Sequence, residues 1–174
     1  TSIAVAGTHG KTTTTSMLSH ILLKGECDPT ISVGGILPAI GGNIRVGQSE
    51  TFLTEACEYT NSFLSFFPTL GIILNMDADH LDFFKDIDDI RHSFRKFAEL
   101  LPADGALIIN ADTPKYEMVA ENLPCKVITY GLEHDAEYTA SDITYDEFGH
   151  PTFHVLHNGE DIGTCSLKVP GIHN

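Results

Sequence analysis

The chain has 174 residues, about one domain at roughly 150 residues per domain, and is long enough to bury a core without covalent staples. Apolar residues at 42% and charged residues at 20% are ordinary globular usage, which excludes wholesale disorder and low-complexity classes. Ten basic residues against 24 acidic ones leave a formal charge of −14, which argues against a broad nucleic-acid or anionic-membrane surface but not against a phosphate held by a few local donors.

In chain order, Ile3–Ala6 reads as a buried strand. Gly10 to about Lys24 reads as a helix with Met17, Leu18, Ile21 and Leu22 on one face, stopped at Gly25. Ile31–Gly47 holds five glycines, too many for a regular core element. A mobile loop or short hairpin is the plain reading there, and a loop lying over a ligand the functional one. Thr51–Thr54 reads as a second strand ending at Glu55, and Thr69–Asn75 as a third whose Leu/Ile-rich run suits burial on both faces. Asp86–Leu101 reads as a helix with Ile87, Ile90, Phe94, Phe97, Ala98 and Leu101 as its apolar stripe. A turn at Pro102 and Gly105 precedes a strand at Ala106–Ile109. Thr113 reads as an N-cap with Pro114 in the first helical position, and that helix runs to about Asn122 before a strand at Lys126–Tyr130. Tyr138–Tyr145, Thr152–His157 and Thr164–Val169 are strand-like, divided by turn signals at Glu147–Pro151 and Asn158–Gly159. The pattern predicts an α/β fold: a P-loop-type, mostly parallel sheet flanked by helices, with a small antiparallel β meander at the C-terminal end.

Apolar runs such as Leu70–Leu74 are far short of the ~20 residues a membrane helix needs. Cys27, Cys57, Cys125 and Cys165 stand far apart with no C-x-x-C pair, which disfavours structural zinc or a disulfide framework and fits reduced thiols in a cytoplasmic protein. No methionine precedes Thr1, and the chain reads as a piece of a longer protein.

The chemistry concentrates in Gly7-Thr8-His9-Gly10-Lys11-Thr12-Thr13, which follows a buried strand and opens a helix. Glycines let the backbone wrap a phosphate chain, successive N–H groups point inward, and the positive end of the helix dipole faces the same anion. Lys11 has the reach for β- and γ-phosphates, and the Thr12 hydroxyl suits Mg²⁺. The spacing is the short G-x-x-G-K-T form, with Val5 where the common loop has its first glycine, which weakens generic GTPase or kinase assignments. The bland alternative is a strand–turn–helix with an exposed lysine. A carboxylate for the metal is expected at the end of a neighbouring strand. Two clusters qualify: Glu55 and Glu58 after the second strand, and Asp77, Asp79, His80 and Asp82 after the third. His80 could ligate or orient a ligand, and the bland reading of both clusters is loop solvation with helix capping. His150, His154 and His157 are not expected to form a metal site, because residues three apart on a strand face opposite sides. His20 and His92 fall within helices and have no evident partners.

At these residues the sequence resembles the central ATP-binding domain of the Mur ligases, and among them the alanine-adding branch. Gly7–Thr15 resembles the family's phosphate loop. Glu55-Ala56-Cys57-Glu58, with Ser62-Phe63 following, is similar to its E-A-x-E pattern and trailing Ser-Phe. Asn75–Asp82 resembles its asparagine–acidic–Asp-His-x-Asp stretch, and Pro170–Asn174 the start of its P-G-x-H-N motif. The four motifs stand in family order from end to end of the chain. The resemblance implies that Gly7, Thr8, His9, Gly10, Lys11, Thr12 and Thr13 bind ATP, that His173 and Asn174 lie near its base, and that Thr12, Glu55 and His80 hold Mg²⁺. It assigns catalytic roles to Lys11, Glu55 and His80. Some members use a carbamylated lysine; the comparable stretch here is Ser93–Phe97, and the alanine-adding type looks to lack that role for Lys96.

What the resemblance implies for activity is ATP-dependent amide formation. The carboxylate of UDP-N-acetylmuramate takes the γ-phosphoryl group as an acyl phosphate, and the amine of L-alanine then expels phosphate. No nucleic-acid or membrane partner is implied. Residues 1–174 would be one domain of three, the N- and C-terminal domains of the same enzyme being absent, so the piece alone is expected to be inactive. Three alternatives stay open. One is a family member that recycles UDP-N-acetylmuramate with a preformed peptide. Another is a GTPase-type switch, although the guanine-selecting N-K-x-D motif does not occur. The third is a binding module that keeps the fold without the metal chemistry.

Overall fold

The layers follow from side-chain alternation in the first strand. Along β1 (Ser2–Ala6), Ala4 and Ala6 turn to one face and Val5 to the other, and all three are fully buried. A strand buried on both faces needs helices on both sides of its sheet. The computed structural model describes residues 1–172 and shows that arrangement. On the Val5 face lies α1 (Lys11–Lys24), whose Leu18 and Leu22 pack with Val5, Leu53 and Ile72. On the alanine face lie α2 (Ile87–Ala98) and the single turn α3 (Glu117–Ala120). There Ile90, Phe94, Phe97 and Val119 pack with Ala4, Ala6, Ile73, Leu107 and Ile109.

The other strands are β2 (Thr30–Leu37), β3 (Gly42–Arg45), β4 (Phe52–Glu55), β5 (Leu70–Ile73), β6 (Ala106–Asn110), β7 (Lys126–Tyr130), β8 (Tyr138–Tyr145), β9 (Pro151–His157) and β10 (Glu160–Ser166). They form one sheet in the order β10-β9-β8-β7-β6-β5-β1-β4-β2-β3. The stretch from β7 to β2 is parallel. The chain runs outward to β2, returns to β4 beside β1, then crosses to β5 on the other side. The order therefore reverses at β1, and the carboxyl ends of β1, β4 and β5 open onto one crevice, the usual ligand position in open α/β sheets. β8 joins β7 through the single register pair Tyr130↔Tyr138, and β9 and β10 follow antiparallel, giving the expected meander.

Four local readings need correction. Ile31–Gly47 does form a hairpin, β2–β3, as the plain reading allowed, but it is not outside the core: Ile31 and Val33 are buried because β2 pairs with β4 inside the sheet. In α1, Ile21 is 65% exposed, and the buried positions are Thr15 and Ser19. The Ser19 hydroxyl donates to the Thr15 carbonyl at 2.7 Å, so a small polar residue can face the sheet with its own donor satisfied. The helix expected from Thr113 shrinks to α3, because Lys115 adopts φ 61 and breaks the helical path. The last strand starts at Glu160, not Thr164, since the Asn158–Gly159 turn pairs Glu160 directly with His157. The α2 stripe is as expected: Ile90, Phe94, Phe97 and Ala98 are buried, Asp86 caps Asp89 N–H at 2.9 Å, and Arg95 and Lys96 sit in the last turn.

Candidate functional site

The loop after β1 takes its shape from contact with the end of β5. Gly7 has φ 145, and a Cβ there would stand 3.0 Å from Leu74 Cβ, so no other residue fits. Asn75 clamps the next residues. Its Oδ1 accepts from His9 N–H at 2.8 Å, its Nδ2 donates to the His9 carbonyl at 3.0 Å, and its carbonyl accepts from Thr8 N–H at 3.2 Å. The Thr8 hydroxyl accepts from Asp77 N–H at 2.9 Å. Thr8 and His9 thus shape the loop through these ties; the Thr8 side chain is buried and the His9 ring exposed near Asp77.

Gly10, at φ 85, is the N-cap of α1 and brings no side chain to cap it. Thr14 N–H is the first to reach an intrahelical acceptor, the Gly10 carbonyl at 2.9 Å. The N–H groups of Lys11, Thr12 and Thr13 therefore stand at the open helix terminus, where the dipole favours an anion. No acidic side chain occupies that first turn. Lys11 is not the exposed lysine of the bland reading. Its ammonium donates to the Gly7 carbonyl at 2.5 Å, to the Thr8 carbonyl at 3.3 Å, and to Glu58 Oε2 at 2.9 Å.

Glu55 ends β4 level with Val5 of β1. Its Oε2 accepts from the Thr12 hydroxyl at 3.1 Å, and its Oε1 from Gly34 N–H at 2.5 Å. The glycine-rich hairpin thus lies against Glu55. A Cβ at Gly34 would fall 2.8 Å from Glu55 Oε2, so close approach requires glycine there. Three residues on, Glu58 is buried at 2% exposure. A 3-10 segment at Tyr59–Ser65 follows it and drives Phe63 into the core, stacked on Phe97 at 5.0 Å and edge-on to Phe94 at 5.3 Å. That anchor fixes the Glu58 backbone.

His80 projects from the loop after β5 in left-handed backbone, φ 52, with its N–H on Asp79 Oδ1 at 2.7 Å and its carbonyl accepting from Phe83 and Phe84 N–H. The Tyr59 ring lies 4.6 Å from the imidazole, and the Tyr59 hydroxyl donates to Asp82 at 2.8 Å. That hydrogen bond to a carboxylate raises the Tyr59 phenol above its usual range. His80 Nε2 stands 3.7 Å from Glu58 Oε1.

Two of the expected metal residues, Thr12 and Glu55, are therefore in contact, whereas His80 stands beside Glu58, the partner of Lys11. Among the described residues no three His, Cys, Asp or Glu side chains form a preformed metal nest. An oxygen pair of hydroxyl and carboxylate fits Mg²⁺, which keeps waters and phosphate oxygens in its shell. Asn75 and Glu58 stood in the sequence only as members of motifs without roles of their own; the loop clamp and the lysine pairing are additions from the structure. His173 and Asn174 lie outside the described residues. Lys96 is exposed on α2. His154 and His157 do not converge: they pair with Asp161 and Glu137 respectively.

An open helix terminus, a partly buried lysine and a Thr–Glu oxygen pair at the switch point of a mostly parallel sheet are the arrangement of a phosphate-loop α/β domain. The model of the Mur ligase middle domain matches residues 5–174, and the chain belongs to that family of ATP-dependent ligases. It is 62% identical over 173 residues to a UDP-N-acetylmuramate–L-alanine ligase of Lachnospira eligens, covering 99% of this chain and 38% of that protein. A protein of the same name from Clostridium novyi is 55% identical over 172 residues, with 37% of its length covered. Among solved structures, the UDP-N-acetylmuramate–alanine ligase of Thermotoga maritima superposes with a TM-score of 0.83 at 29% identity, over 99% of this chain and 38% of that one. A UDP-N-acetylmuramate:L-alanyl-γ-D-glutamyl-meso-diaminopimelate ligase from Neisseria meningitides gives 0.85 at 27% identity, over 99% and 56%. The chain thus spans under two fifths of the curated relatives it matches. Among the described residues no helix is long and apolar enough to cross a membrane.

Proposed function

We propose that this chain is the central, ATP-handling domain of a three-domain cytoplasmic ligase that joins L-alanine to UDP-N-acetylmuramate. The observation that carries the reading is the pairing of Thr12 with Glu55 beside Lys11 at the open end of α1. In this reading the N–H groups of Lys11, Thr12 and Thr13 and the Lys11 ammonium bind the phosphates, and the dipole of α1 adds to the same field. Thr12 and Glu55 hold Mg²⁺, with His80 beside them. The bound ion supplies charge neutralisation at the phosphate oxygens. Asn75 fixes the loop, so the donors are aligned before the nucleotide arrives, and preorganised donors of this kind account for much of a phosphoryl-transfer rate. Gly34 orients Glu55 from the hairpin side. L-Alanine, not a peptide, is the amine because both curated relatives above, at 55% and 62% identity, carry the alanine ligase name.

The test is phosphate release by the full-length protein. It should require ATP, UDP-N-acetylmuramate and L-alanine together. Equal turnover with a preformed peptide in place of L-alanine would move the assignment to the recycling branch; turnover without any acceptor would reject the ligase reading.

A further inference from the structure

The mechanism above leaves one buried charge unused. Glu58 lies directly behind the phosphate loop with 2% of its surface exposed. One of its oxygens takes the Lys11 ammonium at 2.9 Å, while Oε1 has no hydrogen-bond partner among the described residues. The nearest cationic candidate on that side is His80 Nε2, at 3.7 Å and outside hydrogen-bond reach. The other two Lys11 contacts are the backbone carbonyls of Gly7 and Thr8, which carry no net charge. Lys11 is therefore the one side chain hydrogen-bonded to the Glu58 carboxylate among the described residues.

A carboxylate buried without a counter-charge is strongly unfavourable. A triphosphate that draws Lys11 toward itself weakens that pairing and adds negative charge next to it. We propose that Glu58 makes nucleotide binding conditional on a divalent cation: it disfavours metal-free ATP and tolerates the metal complex, because the cation restores the charge that Lys11 gives up. This rests on the phosphate-loop reading. It gives Glu58 a role opposite in sign to that of Glu55. Glu55 is held by Thr12 and Gly34 as a metal ligand, and its loss should weaken MgATP. Glu58 is a positioning and selecting residue, and its neutralisation should strengthen free ATP. Glu58→Gln keeps the shape and an acceptor for Lys11 while removing the charge.

Calorimetric titration of the full-length protein with MgATP, and with ATP in excess EDTA, reads the effect directly and needs no turnover. Wild type should bind free ATP at least about tenfold more weakly than MgATP. Glu58→Gln should narrow that gap by roughly tenfold, through tighter binding of free ATP, as expected for removing one like charge beside the lysine that would take the phosphates, in a partly screened site. Glu58→Asp, which keeps the charge, should retain the gap. An unchanged gap in folded Glu58→Gln would overturn the proposal, as would equal narrowing in both variants, which would mark shape and not charge as the cause. A wild-type protein that binds both forms equally would overturn it whether or not the variants fold. Wild type binding neither form would instead remove the phosphate-loop reading on which the proposal stands.

Discussion

Gly34→Ala tests whether the glycine-rich hairpin sets the metal ligand. The new Cβ would lie 2.8 Å from Glu55 Oε2, 3.1 Å from Oε1 and 3.2 Å from Cδ. The first distance is about 0.6 Å inside ordinary contact and the other two a few tenths, so the carboxylate must shift away from the hairpin. Its hydrogen bond from Gly34 N–H then lengthens or breaks. A hydrogen bond to a charged group is worth about 1.5–3 kcal/mol, and loss of a ligand's orienting partner lowers metal affinity by roughly 10–100-fold. The fold itself should hold. Gly34 is not in left-handed backbone, so alanine adds no backbone strain and slightly restricts the unfolded chain. The assay is a Mg²⁺ titration of ATP-dependent phosphate release by the full-length protein, with thermal melting in parallel. The half-saturating Mg²⁺ concentration should rise by one to two decades while Tm stays within a few degrees. A folded variant with wild-type Mg²⁺ dependence would refute the placement of Glu55 at the metal.

Three further outcomes follow from named contacts. Lys11→Ala should lower phosphate release by on the order of 10² or more, and should also cost about 3 kcal/mol of stability because Glu58 loses its counter-charge; adding Glu58→Gln should recover the stability in urea titrations but not the rate. Phe63→Ala removes the ring stacked on Phe97 and should destabilise the fold by about 3–5 kcal/mol, read as a lower urea midpoint at unchanged slope. Burial, helped by the Asp112 charge, pushes the Tyr130 phenol up to about 12. Its phenolate absorbance should therefore appear near pH 12. Because the folded state holds this proton more tightly than the unfolded state, the stabilisation is complete below about pH 10 and is lost as pH rises from there toward 12.

The parts of the site that were legible are those with local chemistry. A strand, two glycines and a lysine at a helix start sit within ten consecutive positions, and the α2 stripe repeats within one helix. The parts that were not legible depend on contacts through space. Glu58 looks like a solvated loop acid until it is found on Lys11, 47 positions away, and Asn75 meets His9 across 66. The glycine-rich segment misleads for the same reason. Glycine lowers its strand propensity, yet pairing with β4 and packing on Glu55 decide its structure. In α1 Leu18 and Leu22 mark the sheet side but Ile21 points to solvent, and the most buried positions, Thr15 and Ser19, are polar.

The single register pair between β7 and β8 divides one sheet into two cooperative units. The parallel part is welded by long-range ladders and by two helical layers. The meander is two hairpins closed by short turns, so its contacts are near neighbours in sequence and cost little loop entropy to form. Local contacts of this kind predict that amides of β9 and β10 exchange with solvent at a lower opening free energy than those of β1 and β5. Fluctuations of the meander are thereby uncoupled from the crevice at β1, β4 and β5: the far edge of the sheet can breathe without disturbing the alignment of Lys11, Thr12 and Glu55.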